Sequence, residues 1–137
     1  MNIFLTSIIT LFTLCAFAQA DDKKIYTEIS EKKREEAALA ELKSTPNAVM
    51  VYAKGMCCES CGIGVRKKLQ KLDFVDTKRF NKGIALDPKT QLVTIALNKG
   101  ASADGKAIHK AVQQAGYDAM KLYELSGGKL KSTSLDK

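Results

Sequence analysis

The chain has 137 residues, which is enough for one small domain with short extensions but too few to enclose a large enzyme cavity. It is 45% hydrophobic and 27% charged, as expected of a folded soluble domain. The net charge of +7 suits either a solvated lysine-rich surface or an acidic partner. Since no aromatic residues are interleaved with the basic ones, we expect no nucleic-acid partner.

Residues 1–20 contain no charged side chain and end in the small-x-small sequence Ala18-Gln19-Ala20, followed by two aspartates. This pattern predicts a cleaved signal peptide and a periplasmic or secreted mature chain. The only positive charge ahead of the apolar run is the terminal amine, so an uncleaved membrane anchor is the alternative. Cleavage would remove Cys15 and leave three cysteines, Cys57, Cys58 and Cys61.

Residues 21–46 are predicted to form a charged helical extension or linker, because they are rich in Glu, Lys, Ala and Leu and end at a proline. Their apolar positions make only a broken stripe, at Ile25, Ile29, Leu39 and Leu42. We therefore expect a solvent-exposed helix rather than a second domain.

The pattern from residue 47 to 125 alternates strands and helices. The predicted elements are a strand at Ala48–Lys54, a helix from Glu59 to Leu72, a long or interrupted strand over 74–87, a strand at Leu92–Asn98, a helix capped by Ser102 and ending at Gly116, and a strand at Tyr117–Leu125. This order predicts an α+β, ferredoxin-like βαββαβ fold, a four-stranded antiparallel sheet with two helices on one face. Residues 126–137 are predicted to be a disordered polar tail.

Three thiols lie within five residues in "GMCCESC", where the first loop enters the first helix. The spacing places Cys58 in the loop and Cys61 in the first helical turn, where free N–H groups and the helix dipole favour thiolates. Two thiolates suit Cu(I) or Hg(II). A closed zinc site needs more ligands, and the only histidine, His109, has no companion at ligand spacing. No catalytic set or phosphate loop is visible, so we expect neither an enzyme nor a small-molecule substrate.

The strings "GMCCESC", "GIGVRKKLQKL" and "QQAGYDAMKL" together resemble the heavy-metal-associated domain family over about residues 47–125. That family includes small copper chaperones, modules of copper-pumping ATPases and a periplasmic mercury-binding protein. Its signature, G-M-x-C-x-x-C with a later A-G-Y, is matched by Gly55, Met56, Cys58, Cys61, Ala115, Gly116 and Tyr117.

The resemblance implies that Cys58 and Cys61 bind one soft metal ion, Cu(I) or Hg(II) in preference to Zn(II) or Cd(II). The ion would pass by thiolate exchange to a membrane metal transporter or another metal-binding domain. Met56 would point inward and support the loop, and Tyr117 would lie near the site or pack under the loop. Cys57, where the family often has threonine, is a candidate third ligand, a residue for metal transfer, or a side chain that points away. A monomer is expected, with a metal-bridged dimer as the alternative.

Other functions fit the same cysteines. A thiol–disulfide redox protein also places C-x-x-C at a helix start, but this chain has no tryptophan beside the motif and no proline near residues 115–119. In a structural subunit the pair would only form a disulfide. The basic helix face, Arg66, Lys67, Lys68 and Lys71, is either solvated or a docking surface for an acidic transporter module. The stretch 76–85 is longer than usual for the family and is expected to loop at the sheet edge, away from the thiols.

Overall fold

A computed structural model describes residues 27–136 of the chain. These residues form three helices, α1 Glu31–Ser44, α2 Glu59–Leu69 and α3 Gly105–Gln114, and five strands, β1 Ala48–Lys54, β2 Ile84–Asp87, β3 Leu92–Ala96, β4 Asp118–Ser126 and β5 Lys129–Ser134. The predicted signal peptide lies outside the described residues. Within 27–136, none of the helices combines the length and the hydrophobicity needed to cross a membrane.

The five strands form one antiparallel sheet in the order β2-β3-β1-β4-β5. β1 lies in the centre, with Val51 paired to Val93 of β3 and to Leu122 of β4. The α+β class is confirmed, but the prediction of four strands is wrong. Residues 129–134, predicted as part of a disordered tail, form β5, which pairs with β4 along the sheet edge.

The main core lies between the sheet and the helices α2 and α3. Side chains alternate between the two faces of a strand, so every second residue of β1 points to this side. The residues that meet there include Val49, Val51 and Ala53 of β1, Val65 and Leu69 of α2, and Ile108 and Val112 of α3. This packing fixes the start of α2, where the cysteines lie, against the end of β1.

The helix α1 covers the opposite face of the sheet, so the prediction of a solvent-exposed extension is wrong for Glu31–Ser44. Ala38 and Leu42 are almost fully buried against Met50 and Tyr52 of β1 and Tyr123 of β4. Together with Arg34 these two residues form a buried stripe at i, i+4 and i+8. Because the first position of the stripe is an arginine, the spacing of apolar residues alone does not reveal the stripe.

Arg34 is only 4% exposed and holds the start of α1 on the sheet through several contacts. Its Nε donates a hydrogen bond to the carbonyl of Thr90 (2.9 Å), and Nη2 forms an ion pair with Glu28. The guanidinium lies 3.6 Å from the ring centroid of Tyr52, a cation–π contact. The Tyr52 hydroxyl donates to the same Glu28 carboxylate at 2.7 Å, which closes a network of three side chains.

This network predicts a pH-dependent contribution to stability. Burial and the hydrogen bond to Glu28 raise the pKa of Tyr52 to about 12. The pKa of Glu28 is lowered because the hydrogen bonds from Tyr52 and Arg34 outweigh its desolvation. The stability that Tyr52 contributes to the folded state is thus complete below its ordinary pKa of about 10 and is lost as pH rises towards its pKa in the folded state. The glutamate contribution is complete above its unfolded pKa and is lost as pH falls through its lowered folded value.

We expect Tyr52→Phe to lower the free energy of unfolding by roughly 1 kcal/mol near neutral pH, the usual net value of one hydrogen bond. The loss should shrink in acid and again in strong alkali. Urea unfolding of both proteins at several pH values measures it. Tyr123→Phe is the control, because its buried hydroxyl has no hydrogen-bond partner among the described residues. A loss that is the same at every pH, or equal in the two variants, would contradict the prediction.

Several predicted element boundaries need correction. α2 ends at Leu69 rather than Leu72, and β3 ends at Ala96 rather than Asn98. α3 is capped by Asp104 rather than Ser102, since the Asp104 carboxylate accepts hydrogen bonds from the N–H groups of Lys106 (2.9 Å) and Ala107 (3.3 Å). The strand predicted over 74–87 as long or interrupted is interrupted, since Val75 makes an isolated bridge to Leu97 and only Ile84–Asp87 forms a continuous strand.

The residues between that bridge and β2 form a loop at the β2 edge of the sheet. Arg79 Nη1 donates to the carbonyl of Asn47 (3.1 Å), one residue before β1. Because the cysteine loop follows the other end of β1, the long loop lies at the end of the sheet opposite the thiols, as expected.

Candidate metal centre

The cysteine loop connects β1 directly to α2. Backbone hydrogen bonds from Met56 N–H to the Ala53 carbonyl (3.3 Å) and from Cys57 N–H to the Gly55 carbonyl (3.0 Å) fold it tightly. Cys58 is the N-cap of α2, with an extended backbone (φ −154°, ψ 159°), and Cys61 lies in the first turn. The thiols therefore occupy the helix start that their spacing predicts.

The structure brings the three cysteines into one cluster, with all three Sγ atoms within 4.8 Å of one another. Cys58 and Cys61 are joined by a disulfide, with their Cα atoms 5.3 Å apart, while Cys57 is a free thiol. Cys58 is 4% exposed, whereas Cys57 and Cys61 are half-buried. The described state is therefore the oxidised pair with a third thiol beside it.

The helix start supplies an environment that favours negative charge at these sulfurs. The Cys58 side chain makes no capping hydrogen bond, so the N–H groups of the first turn have no side-chain cap. Ser60 Oγ lies 3.4 Å from Cys58 Sγ, and its hydroxyl is the donor because a disulfide sulfur has no proton. After reduction, the dipole, the free N–H groups and this hydroxyl all stabilise a thiolate at Cys58.

Met56 and Tyr117 hold the loop from two sides. Met56 is fully buried within the main core, so it anchors the loop from beneath. Tyr117 is half-buried, and its ring lies close to Gly55: a Cβ added to Gly55 would be 3.5 Å from Cδ1 of Tyr117. The loop is therefore positioned by the core and by the segment that follows α3.

One glycine matters for the packing of α2, although its role is not evident from the cysteine motif. A Cβ added to Gly62 would overlap the side chain of Leu86 in β2, whereas one added to Gly64 would make only ordinary van der Waals contact with the Cβ of Ala115, at 3.8 Å. The absence of a side chain at Gly62 lets the first turn of α2 approach β2 closely. The signal was visible in the sequence as "GIG" immediately after Cys61.

The other predicted residues lie outside the cluster. His109 is half-buried in α3 and is not among the potential ligands that the structure brings together. In the basic helix face, Lys67 and Lys71 are exposed, and Arg66 and Lys68 are half-buried. Lys71 lies beyond the end of α2, and the side chain of Ile63 on α2 is 47% exposed.

Comparison with protein families gives a match over part of the chain. Residues 51–118 match the model of the heavy-metal-associated domain, a range that contains the cysteine cluster, Met56 and Tyr117. Searches of curated proteins and of solved structures found no match. This match agrees with the signature residues and with the βαββαβ order that β1 to β4 form with α2 and α3. Through residues 51–118 the chain belongs to the heavy-metal-associated domain family.

Proposed function

We propose that this protein is an exported metal-binding protein, periplasmic or secreted, that captures Cu(I) or Hg(II) through Cys58 and Cys61 and passes the ion to a partner. The observation that carries the proposal is the cluster of three sulfurs within 4.8 Å at the start of α2, inside the matched domain. Thiolates are soft ligands that prefer such ions to hard ones such as Mg²⁺ or Ca²⁺. Export is supported by the pattern of residues 1–20.

The oxidised pair carries no thiolate, so reduction must precede metal capture. Cys57 and Cys61 are half-buried, which leaves the reduced site open to an incoming thiolate from a partner. Exchange of one metal–sulfur bond at a time then moves the ion without releasing it into water. The function is binding and transfer rather than catalysis.

The recipient fits a membrane metal transporter or another metal-binding domain, since both can present a second thiolate pair. Ile63 and Lys67 are exposed on the helix that begins at the thiols, and the exposed Lys71 follows two residues after its end. This surface combines positive charge with an apolar contact, a combination that suits an acidic partner around a small apolar patch.

Competitive titration of the reduced protein with Cu(I), Hg(II) and Zn(II) tests the proposal. We expect one ion per chain, with Cu(I) and Hg(II) displacing Zn(II). The double variant Cys58→Ser/Cys61→Ser should lose this binding, while the control His109→Ala should retain it. Unaltered uptake of every ion by the double serine variant would reject the proposed site.

A thiol–disulfide redox function is the second candidate, because Cys58 and Cys61 are joined in a disulfide. In the redox function the disulfide would exchange with thiols of a substrate protein, whereas in the metal-binding function the reduced pair would hold an ion. An insulin-reduction assay with glutathione as reductant separates the two. Rapid turnover that depends on both cysteines would favour the redox function, and a negligible rate together with tight metal binding would favour metal capture.

A further inference from the structure

The third cysteine of the cluster, Cys57, departs from the two-cysteine signature of the domain, and its position suggests a role in ion selection. Its sulfur lies within 4.8 Å of the other two, although it takes no part in the disulfide. The hydrogen bond from its N–H to the Gly55 carbonyl fixes the loop at this residue. The third thiol therefore belongs to the site already in the oxidised state.

The spacing of the sulfurs is compatible with three ligands to one ion. Metal–sulfur bonds of about 2.3 Å, arranged evenly around a centre, separate their sulfurs by roughly 4.0 Å. The three sulfurs lie within a slightly larger span. Breaking the disulfide frees Cys58 and Cys61 to separate towards this value, so the cluster can close on an ion without moving the loop.

The charge of the ion decides whether a third thiolate ligand strengthens its binding. Three thiolates carry −3, so a monovalent ion leaves −2, a divalent ion −1 and a trivalent ion no net charge. Cys58 is 4% exposed and Cys61 packs against the main core, and a large residual charge there would be poorly solvated. Glu59, in the first turn of α2, adds a further negative charge nearby.

We propose that Cys57 is a third metal ligand that shifts the preference of the site from monovalent Cu(I) towards divalent and trivalent thiophilic ions. Cu(I) is held by Cys58 and Cys61 alone, whereas ions such as Hg(II), Cd(II) or trivalent arsenic engage all three sulfurs. The inference rests on the proposed function, because it concerns the ligand set of the same site.

The test compares reduced wild type with Cys57→Ser, using His109→Ala, which changes a residue outside the cluster, as the control. Each protein is loaded with Cu(I), Cd(II) or arsenite, alkylated with iodoacetamide and digested, and the adducts on the peptide 55–66 are counted. In wild type we expect no adduct with Cd(II) or arsenite and one adduct, at Cys57, with Cu(I).

Competition titrations should show that Cys57→Ser weakens Cd(II) and arsenite binding at least about tenfold, since even an outer-shell partner is typically worth 10- to 100-fold. Cu(I) affinity should stay within about threefold.

The outcomes distinguish this inference from the proposed function. One alkylated thiol with every ion, or equal affinities of wild type and Cys57→Ser for Cd(II) and arsenite, would overturn the third-ligand role and leave metal capture by Cys58 and Cys61 intact. Failure of wild type to bind any of the three ions, together with failure to bind Hg(II) in the competitive titration, would overturn both. Formation of the Cys58–Cys61 disulfide in oxidised Cys57→Ser, together with an unchanged unfolding midpoint, shows that the variant is folded.

Discussion

Reduction of the Cys58–Cys61 disulfide is expected to raise the affinity for Hg(II) and Cu(I) by at least about a hundredfold, since each of the two missing thiolate ligands is worth at least the 10- to 100-fold typical of an outer-shell partner. In the oxidised chain neither Cys58 nor Cys61 supplies a thiolate, and Cys57 is the one free cysteine among residues 27–136. Competition against a chromophoric chelator under anaerobic conditions, after a phosphine reductant has been removed by gel filtration, measures both states.

Oxidised Cys57→Ser is the control for this comparison, because no free thiol then remains within residues 27–136. It should bind neither ion, while its reduced form should retain Cu(I) binding. Equal affinity of the oxidised and reduced wild-type proteins would show that the pair is not the ligand set.

Gly83→Ala is expected to cost about 3 kcal/mol of unfolding free energy, the largest effect on stability that we predict. Gly83 has φ +84°, and an added Cβ would lie 2.5 Å from Cγ1 of Val75 and 2.8 Å from the backbone oxygen of Asp76. The glycine also accepts a hydrogen bond from the Ala96 N–H (2.8 Å), so the backbone there cannot shift without disturbing the sheet edge. Urea unfolding measures the loss.

Gly100→Ala is the matched control for the clash. Its φ of +78° is almost the same, but an added Cβ would meet nothing within 4 Å. It should therefore show only the conformational cost of about 1 kcal/mol. Similar losses in the two variants would mean that the contacts with Val75 and Asp76 contribute nothing.

The elements around the cysteines could be predicted from the sequence because their signals are local. The strand over Ala48–Lys54 is confirmed at both ends, and the helix begins at Glu59 as predicted. The signals are the β-branched residues of the strand, the glycine that follows it and the spacing of the cysteines, and all of them lie within a few residues of one another. The disulfide state of the pair depends on redox conditions, and no spacing rule could have decided it.

The burial of α1 could not be predicted from apolar spacing because its decisive contact is polar and distant in sequence. Arg34 is buried only because Glu28, the Thr90 carbonyl and the ring of Tyr52 surround its guanidinium. An exposed arginine and a buried one look the same in the sequence. Tyr52 lies on β1 and Thr90 in the turn before β3, so only the assembled fold reveals the stripe.

The missed strand β5 did have a local signal. Gly127 and Gly128, both with positive φ, form the two-residue connection of a hairpin, and Ser126 pairs with Lys129 directly across it. The polar composition of the last residues suggested disorder instead. Leu125 and Leu130 pair across the hairpin and pack against the α1 side of the sheet, which explains why this polar segment is ordered.

The order of the strands places β2 and β5 at the two edges of the sheet, and neither strand favours pairing with another chain. β2 is only four residues long and runs into Pro88, and β5 places Lys129 and Lys131 among serines and a threonine. Short strands and edge lysines are poor templates for a second chain that adds by backbone hydrogen bonding. The α1 helix covers one face of the sheet, and α2 and α3 cover the other. The sheet is thereby protected from fibril-like growth, and encounters between molecules are directed to the loops at its ends.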